Sequence, residues 1–170
     1  MREVASKPVY LADVYSDPVI VRIDGRACFQ NCSHLRDFMT QMARAGKSRF
    51  VFDFTGCTSM DSTFLGVLAG VALELRKRDP KGGLILAHVG ARNLELIRNL
   101  GLHRLMTVDI SDSAPNSDRC DVPLTCPESS ELEKARLVLD AHENLVDADG
   151  ANLSKFQDVL AFMRNRIDQG

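Results

Sequence analysis

The stretch over residues 50–68 constrains the fold most strongly, because its pattern of apolar residues changes partway along. It begins with a short apolar run rich in Val and Phe, which is typical of a strand buried on both faces. A connection rich in Thr, Gly, Cys and Ser follows, and apolar residues then recur at helical spacing. The sequence therefore predicts a strand over 49–54, a tight loop, and a helix from about 62 to 78 that begins with Ser62.

The flanking segments continue the alternation of strand and helix. Two β-prone runs, Val9–Val14 and Val19–Ile23, are separated by a turn-like cluster and predict an antiparallel hairpin. Further patterns predict a helix ending near Gly46, a strand at 84–87, a helix at 93–100 and an edge strand at 107–110. Connections this short imply parallel neighbours with right-handed crossovers. We therefore predict that the first 110 residues form a small α/β domain whose first strands form a hairpin and whose later strands are parallel.

Two glycines lie inside the helix predicted over 62–78. Gly66 and Gly70 are four residues apart, and a glycine in a helix interior costs roughly 1 kcal/mol relative to Ala. A packing reason is therefore expected, and the simplest one is a close approach of this helix to the sheet.

The composition changes after residue 111. Residues 112–128 are rich in Ser, Asp and Pro and predict a linker. Ser130 with Glu133 forms a capping-box pattern, and the helix that follows carries Leu132, Ala135, Leu139 and His142. After Gly150, a second helix has a clear apolar face, formed by Phe156, Val159, Leu160, Met163 and Ile167. We predict a C-terminal helical hairpin over 129–168 whose apolar face is buried either against the domain or across a dimer.

Charge, hydropathy and cysteine usage exclude several classes of protein. The formal net charge of −2 gives no electrostatic reason to expect nucleic-acid binding. No apolar run approaches the roughly 20 residues needed to span a bilayer, so membrane insertion is not expected, and a cytoplasmic protein follows. The 5 cysteines have irregular spacing, so neither a disulfide framework nor a metal site is expected. No phosphate-binding glycine motif is present, and no cofactor is expected.

Ser62 is the sharpest candidate for a functional residue. Asp61 is placed to cap the helix, and Ser62 follows in the first turn, where phosphorylation would add about −1.5 to −2 charges. Chemistry alone favours the plain alternative, in which Asp61, Ser62 and Thr63 are ordinary helix-start residues. A catalytic serine fits less well, because Met60 and Phe64 stand where a nucleophile elbow has glycines.

Two stretches resemble a known family. Asp53–Leu68 resembles the signature of STAS domains of the anti-sigma factor antagonist family, in which Asp, an apolar residue, Ser or Thr, and Gly precede Asp-Ser-Ser/Thr-Gly-Leu-Gly. Leu84–Gly90, followed by Asn99–Leu102, resembles the family's next strand and the Gly-Leu pair that ends its helix. The resemblance covers residues 8–111 and implies a STAS-like fold over them. Such a fold is a small mixed sheet of four to five strands, with a β-hairpin start, a parallel core and helices mainly on one face.

The resemblance also implies a function. Unmodified members bind an anti-sigma factor, usually an ATP-dependent serine kinase, and this binding releases a sigma factor that directs transcription in bacteria. The kinase phosphorylates the residue that matches Ser62, with Thr63 as the second candidate here, and phosphorylation abolishes binding. The protein would thus be a binder and not an enzyme, and the partner-binding residues would be Asp61, Ser62, Thr63, Phe64, Leu65 and Gly66. Phe64 departs from the family pattern, which has Gly at this position.

Two other functions stay open at this point. A STAS domain can serve as a regulatory or structural subunit of a transport or signalling assembly, with Ser62 never phosphorylated. A small serine hydrolase using Ser62 is the more distant alternative. For the C-terminal helices, a homodimer is the alternative to packing within one chain.

Overall fold

The computed structural model describes residues 8–111, 114–125 and 128–169. Parts of the predicted linker, at 112–113 and 126–127, lie outside the described residues, as does Cys126. A 3₁₀ turn at Leu102–Arg104 lies between α3 and β5. The elements are, in chain order, β1 (Tyr10–Asp13), β2 (Val19–Ala27), α1 (Cys32–Arg44), β3 (Arg49–Met60), α2 (Ser62–Arg76), β4 (Gly83–Ala87), α3 (Ala91–Asn99), β5 (Thr107–Asp109), β6 (Val122–Pro123), α4 (Glu131–Ala148) and α5 (Asn152–Gln169).

The sheet has a hairpin at one side and a parallel core. The strand order is β5-β4-β3-β2-β1-β6, and β1 pairs antiparallel with β2, which confirms the predicted hairpin. The pairs β2–β3, β3–β4 and β4–β5 are parallel, as predicted. The sixth strand, β6, pairs antiparallel with β1 and was not predicted. Its two residues include a proline, and so short an edge strand has no periodicity to detect.

The two faces of the sheet bury different side chains. Along β3, Phe50 and Phe52 point to one face of the sheet, and Val51 between them points to the other. The phenylalanines pack in the main core with buried residues of α1, α2, α3 and α4. Val51 packs instead with a smaller cluster that includes Cys120 from the segment before β6. The described helices therefore cover one face, as predicted, and irregular chain covers the other.

The strand β3 is longer than predicted. Residues 55–60, predicted as a connection, continue β3 as far as Met60 and pair in parallel with the end of β2, with register shifts at two points. The second strand likewise continues through Gly25, whose φ of +116° suits glycine at such an irregularity. The prediction ended the strand too early because the polar residues of 55–60 give no strand pattern. The strand continues there because it forms hydrogen bonds with β2. The extension carries the chain directly to the start of α2.

The C-terminal hairpin packs on the domain of the same chain. Ser130 caps α4, since its Oγ accepts a hydrogen bond of 3.1 Å from the Glu133 amide, which is the serine half of the predicted capping box. The buried face of α4 differs from the predicted stripe, since Leu132 is exposed. The residues buried on α4 are Ala135, Leu137, Ala141, His142 and Leu145.

The outer helix α5 buries less than predicted. Of the five residues expected to be buried, Leu160 is buried, and the other four are half-buried. The reason is that α5 forms an outer layer and packs mainly against α4. No described element covers the outer side of α5, where Leu153 and Phe162 are exposed. Among the described helices, none combines the length and the apolar content that crossing a membrane requires.

Candidate functional site

The first turn of α2 is fixed by Asp61, which is the N-cap, as predicted. Its Oδ1 accepts a hydrogen bond from the Phe64 amide at 2.9 Å, which satisfies one of the free N–H groups of the helix start. Its Oδ2 accepts a second hydrogen bond, from the Phe29 amide at 2.9 Å. One carboxylate therefore holds both the helix start and the loop after β2.

That loop is tied down further by Asn31. The Asn31 side chain does not cap α1. Its Oδ1 accepts hydrogen bonds from the Tyr10 hydroxyl at 2.6 Å and from the Cys28 amide at 3.1 Å, and its Nδ2 donates to the Arg26 carbonyl at 2.8 Å. Burial raises the pKa of Tyr10, so the hydroxyl keeps its proton and donates. The surroundings of the α2 start are therefore held in place by side chains.

Ser62 contacts a histidine from the C-terminal hairpin. Ser62 is half-buried, and its Oγ lies 2.9 Å from Nε2 of His142. The ring is only 3% exposed, and its Nδ1 lies 2.7 Å from the Val138 carbonyl oxygen. Because a carbonyl only accepts, Nδ1 must carry a hydrogen. In the neutral ring, Nε2 then accepts the hydrogen bond that the Ser62 hydroxyl donates.

His142 is the functional-site residue that sequence reasoning did not find. It lies 80 positions from Ser62 along the chain, and it is one of 4 histidines without a motif around it. A second contact holds the ring, since Phe156 of α5 packs edge-on against it with centroids 4.9 Å apart. The only signal available in the sequence was its position on the apolar side of a predicted amphipathic helix.

The other residues of the predicted partner-binding set are buried. Phe64 is 0% exposed, with its ring stacked on Tyr10 and edge-on to Phe54, both at 6.3 Å between centroids. The bulky residue that departs from the family pattern therefore fills the core and does not crowd the surface beside Ser62. The set divides into half-buried Asp61 and Ser62 and buried Thr63, Phe64, Leu65 and Gly66.

The two glycines of α2 face α4 and not the sheet, which corrects the expected packing reason. A Cβ atom added at Gly66 would lie 2.1 Å from the carbonyl oxygen of Ala141, and one added at Gly70 would lie 2.3 Å from Nδ2 of Asn144. Real Cβ atoms do not approach other atoms this closely. Asn144 also donates a hydrogen bond of 3.1 Å to the Gly66 carbonyl. The glycines therefore allow two helices to touch along their backbones.

The turn between α4 and α5 is anchored on the Gly-Leu segment that follows α3. Asn152 is 0% exposed, and its Nδ2 donates to the carbonyls of Leu100 at 3.0 Å and Leu145 at 2.8 Å. Lys155 donates to the Asn99 carbonyl. The hairpin is thus attached to the domain at its turn as well as along α2.

The Ser62–His142 pair has the spacing of a nucleophile and a base, but its surroundings are those of a helix contact. The ring is oriented by a backbone carbonyl instead of a carboxylate, and it is buried under α5. A groove of about 480 Å³ runs between α1, α2 and α4, and its lining includes Arg36, Glu74 and Asn144 but neither member of the pair. In the described part of the chain, the Ser62 hydroxyl therefore belongs to a helix–helix contact.

Asp53, the first residue of the matching motif, has a structural role on the opposite face of the sheet. Its Oδ1 accepts hydrogen bonds from the Thr55 amide at 3.0 Å and hydroxyl at 2.6 Å, and its Oδ2 accepts one of 2.5 Å from the Ser117 hydroxyl. Burial acts to raise the pKa of Asp53, but the hydrogen bonds from Ser117 and Thr55 outweigh it, so the pKa lies below its ordinary value. The carboxylate therefore stays ionised and ties the segment before β6 to β3.

Comparisons with known proteins identify the family. No curated protein matches the chain. The solved structures similar to it include the anti-sigma factor antagonist SpoIIAA in its unphosphorylated form, with 18% identity and a TM-score of 0.47, where the match covers 52% of this chain and 81% of that one. Another is the Bacillus cell fate determinant SpoIIAA in the phosphorylated form, with 18% identity and a TM-score of 0.49, where the match covers 61% and 93%. The STAS domain family matches residues 10–114, more than half of the sequence. The chain therefore belongs to the STAS domain family.

Proposed function

We propose that this protein is a phosphorylation-sensitive binding switch of the anti-sigma factor antagonist type. In its unmodified form it binds an anti-sigma factor or serine kinase of its own pathway, and phosphorylation of Ser62 ends that binding and so regulates sigma-dependent transcription in a bacterial cytoplasm. The observation that carries the proposal is the position of Ser62, half-buried in the first turn of a helix that Asp61 caps.

A phosphoryl group on Ser62 would change this surface at its centre. It would bring about −1.5 to −2 charges and three acceptor oxygens. The N-terminus of α2 tolerates such a charge, but the Asp61 carboxylate next to it repels the charge. A partner that fits the neutral hydroxyl therefore loses both shape and charge complementarity when the phosphoryl group is added. Thr63 is only 5% exposed, so a kinase reaches Ser62 more easily.

The buried members of the predicted binding set support the surface from below. Phe64 and Leu65 are 0% exposed and hold α2 in the core, so their role in binding is indirect. Gly66 lies one turn after Ser62 on the same face of α2 and would contact a partner only where α4 does not cover it. The formal net charge of −2 favours a protein partner over nucleic acid.

A kinase assay tests the proposal. The full chain and its Ser62→Ala variant are incubated with ATP and a panel of purified anti-sigma serine kinases, and the modified residue is located by mass spectrometry. We expect phosphate on Ser62 of the parent chain and none on the variant. Binding of the same kinases, measured by calorimetry, should be retained by Ser62→Ala and lost in Ser62→Asp.

The two alternatives predict different results in the same experiments. A STAS subunit of a transport or signalling assembly would show no phosphate on Ser62, and its binding would not respond to Ser62→Asp. A hydrolase would cleave p-nitrophenyl acetate, and Ser62→Ala would abolish that cleavage. We expect instead that the parent chain and the Ser62→Ala variant hydrolyse the ester at equal rates. A homodimer through the C-terminal helices stays a prediction, to be tested by analytical ultracentrifugation.

A further inference from the structure

The face of α2 that carries Ser62 is already occupied by α4. Three contacts in a row define this cover: the Ser62 hydroxyl on His142, Gly66 against Ala141, and Gly70 against Asn144. The α4 residues Leu137, Ala141 and Leu145 also belong to the main core. The surface proposed above for a partner protein is therefore, in this structure, a docking site filled by a helix of the same chain.

We propose that α4 is a built-in competitor for this surface, and that a docked α4 excludes a phosphoryl group on Ser62 and a partner on α2. The proposal rests on the function proposed above. It makes the covered state the resting state, so that the parent chain binds its partner weakly and is phosphorylated slowly, through the fraction of molecules whose α4 is released. A partner must displace α4, and it would do so by presenting a helix whose small residues fit against Gly66 and Gly70.

The contacts leave no room for a phosphoryl group between the helices. The Ser62 Oγ is at hydrogen-bond distance, 2.9 Å, from Nε2 of His142. The helix spacing one turn further on is so close that even a Cβ at Gly66 would overlap Ala141. A modified Ser62 therefore pushes α4 away.

The chemistry of the cover suits reversible release. Across the two glycines, the contact consists of backbone, one alanine and one amide side chain, while Leu137 and Leu145 anchor α4 in the main core beside it. The hairpin turn keeps its own attachment through Asn152. Opening the contact near Ser62 leaves the sheet core in place, so it takes less free energy than unfolding the domain, which is typical of regulatory elements.

Hydrogen exchange on the full chain tests the exclusion without any kinase. Three variants are compared by mass spectrometry: Ser62→Ala, Ser62→Gln and Ser62→Glu. All three remove the hydroxyl, Gln adds bulk, and Glu adds bulk and charge. We expect the amides of 135–145 to exchange about tenfold faster in the Glu variant than in the Ala variant, while those of β3 stay protected. Equal exchange of α4 in the Ala and Glu variants would overturn the proposal.

A second variant releases α4 without touching Ser62. In Gly66→Ala, the new methyl group meets Ala141 of α4, and alanine itself favours the α2 helix by about 1 kcal/mol. Gly90→Ala is the matched control, because a Cβ there meets no atom within 4 Å. We expect faster exchange of α4 in the Gly66 variant alone. The proposal is wrong if α4 exchanges equally in both variants.

The two proposals fail in distinguishable ways. If Ala141→Leu, which enlarges α4 at the same contact and leaves α2 unchanged, opens α4 but the opened chain is still not phosphorylated by any kinase of the panel, the cover exists and the proposed function is wrong. If the parent chain is phosphorylated at the same rate as the opened variant, the function stands and the competition is refuted.

Discussion

The two faces of α2 differ in how they are packed, and the difference separates stability from regulation. On one face, Phe64 packs against rings from β1 and β3, and Leu68 and Leu75 follow on the same face at helical spacing. On the other face, Ser62, Gly66 and Gly70 meet α4 through a hydrogen bond and close backbone contacts. Large apolar side chains hold the first contact permanently. The second contact is close in space, and Leu137 and Leu145 of α4 are buried beside it, so α4 stays docked until a competing group displaces it.

The largest expected effect is on the sheet-facing side. Phe64→Ala should lower the free energy of unfolding by about 3–5 kcal/mol, because it removes a fully buried ring and leaves a cavity. Urea unfolding followed by circular dichroism measures this. Phe162→Ala is the matched control, since that ring is 61% exposed on α5 and should change stability by less than about 0.5 kcal/mol. A small loss for Phe64→Ala would mean that α2 is not fixed by its sheet-facing side.

The next effect tests the attachment of the hairpin. Asn152→Ala leaves the Leu100 carbonyl without its buried donor, which costs about 2 kcal/mol. We expect the loss to appear as faster hydrogen exchange in α4 and α5, with β3 unchanged. Asn165→Ala, on the exposed side of α5, should leave exchange unaltered. If exchange instead became faster to the same extent over the whole chain, the hairpin and the domain would unfold as one cooperative unit, which would contradict this expectation.

A smaller effect is expected at the start of α2. Asp61→Ala removes the cap bond to Phe64 and the bond to Phe29, at a cost of about 1–2 kcal/mol. Asp61→Asn is the control, because its amide oxygen can still accept the cap bond. The thermal midpoint of the Asn variant should lie between those of the parent and the Ala variant, and equal midpoints for all three would show that the cap has no role in stability.

The smallest effect serves as a reference on the far face of the sheet. Asp53 has a lowered pKa, so it stabilises the fold above its unfolded pKa of about 4, and this contribution is lost as the pH falls through the lower folded value. Ser117→Ala should raise the pKa of Asp53 and destabilise the protein by about 1 kcal/mol at pH 7. The difference from the parent chain should shrink below about pH 4. A difference that grows on acidification would contradict this sign, and α4 exchange should be unchanged.

Local patterns were sufficient to predict most of the domain. The alternation along β3, the hairpin and the cap at Asp61 each follow from neighbouring residues, and all three are confirmed. The extension of β3 through residues 55–60 was missed, because its stability comes from pairing with β2 and not from its own composition. Strand β6 was missed for the same reason, since its pairing with β1 is a long-range contact.

The candidate site shows the same contrast between residues predicted from local patterns and residues placed by long-range contacts. Asp61 and Ser62 were found because the signature lies within one continuous stretch of sequence. His142 was not found, because helical periodicity predicts that a hairpin has an apolar face but not which surface that face covers. Gly66 and Gly70 gave a clue to that surface, because two small residues one turn apart on a helix indicate that another element packs closely there. That neighbour is Ala141 and Asn144 of α4 and not the sheet.

The competition between α4 and a partner is tested most directly by the initial rate of Ser62 phosphorylation in the full chain compared with its Ala141→Leu variant, which enlarges α4 and leaves α2 unchanged. A purified anti-sigma serine kinase that phosphorylates the chain is mixed with each protein and ATP, and phosphate on Ser62 is quantified by mass spectrometry. We expect slow phosphorylation of Ser62 in the parent chain and a severalfold faster rate in the variant, whose α4 is displaced. Equal rates, or phosphate on another residue in both proteins, would contradict this expectation.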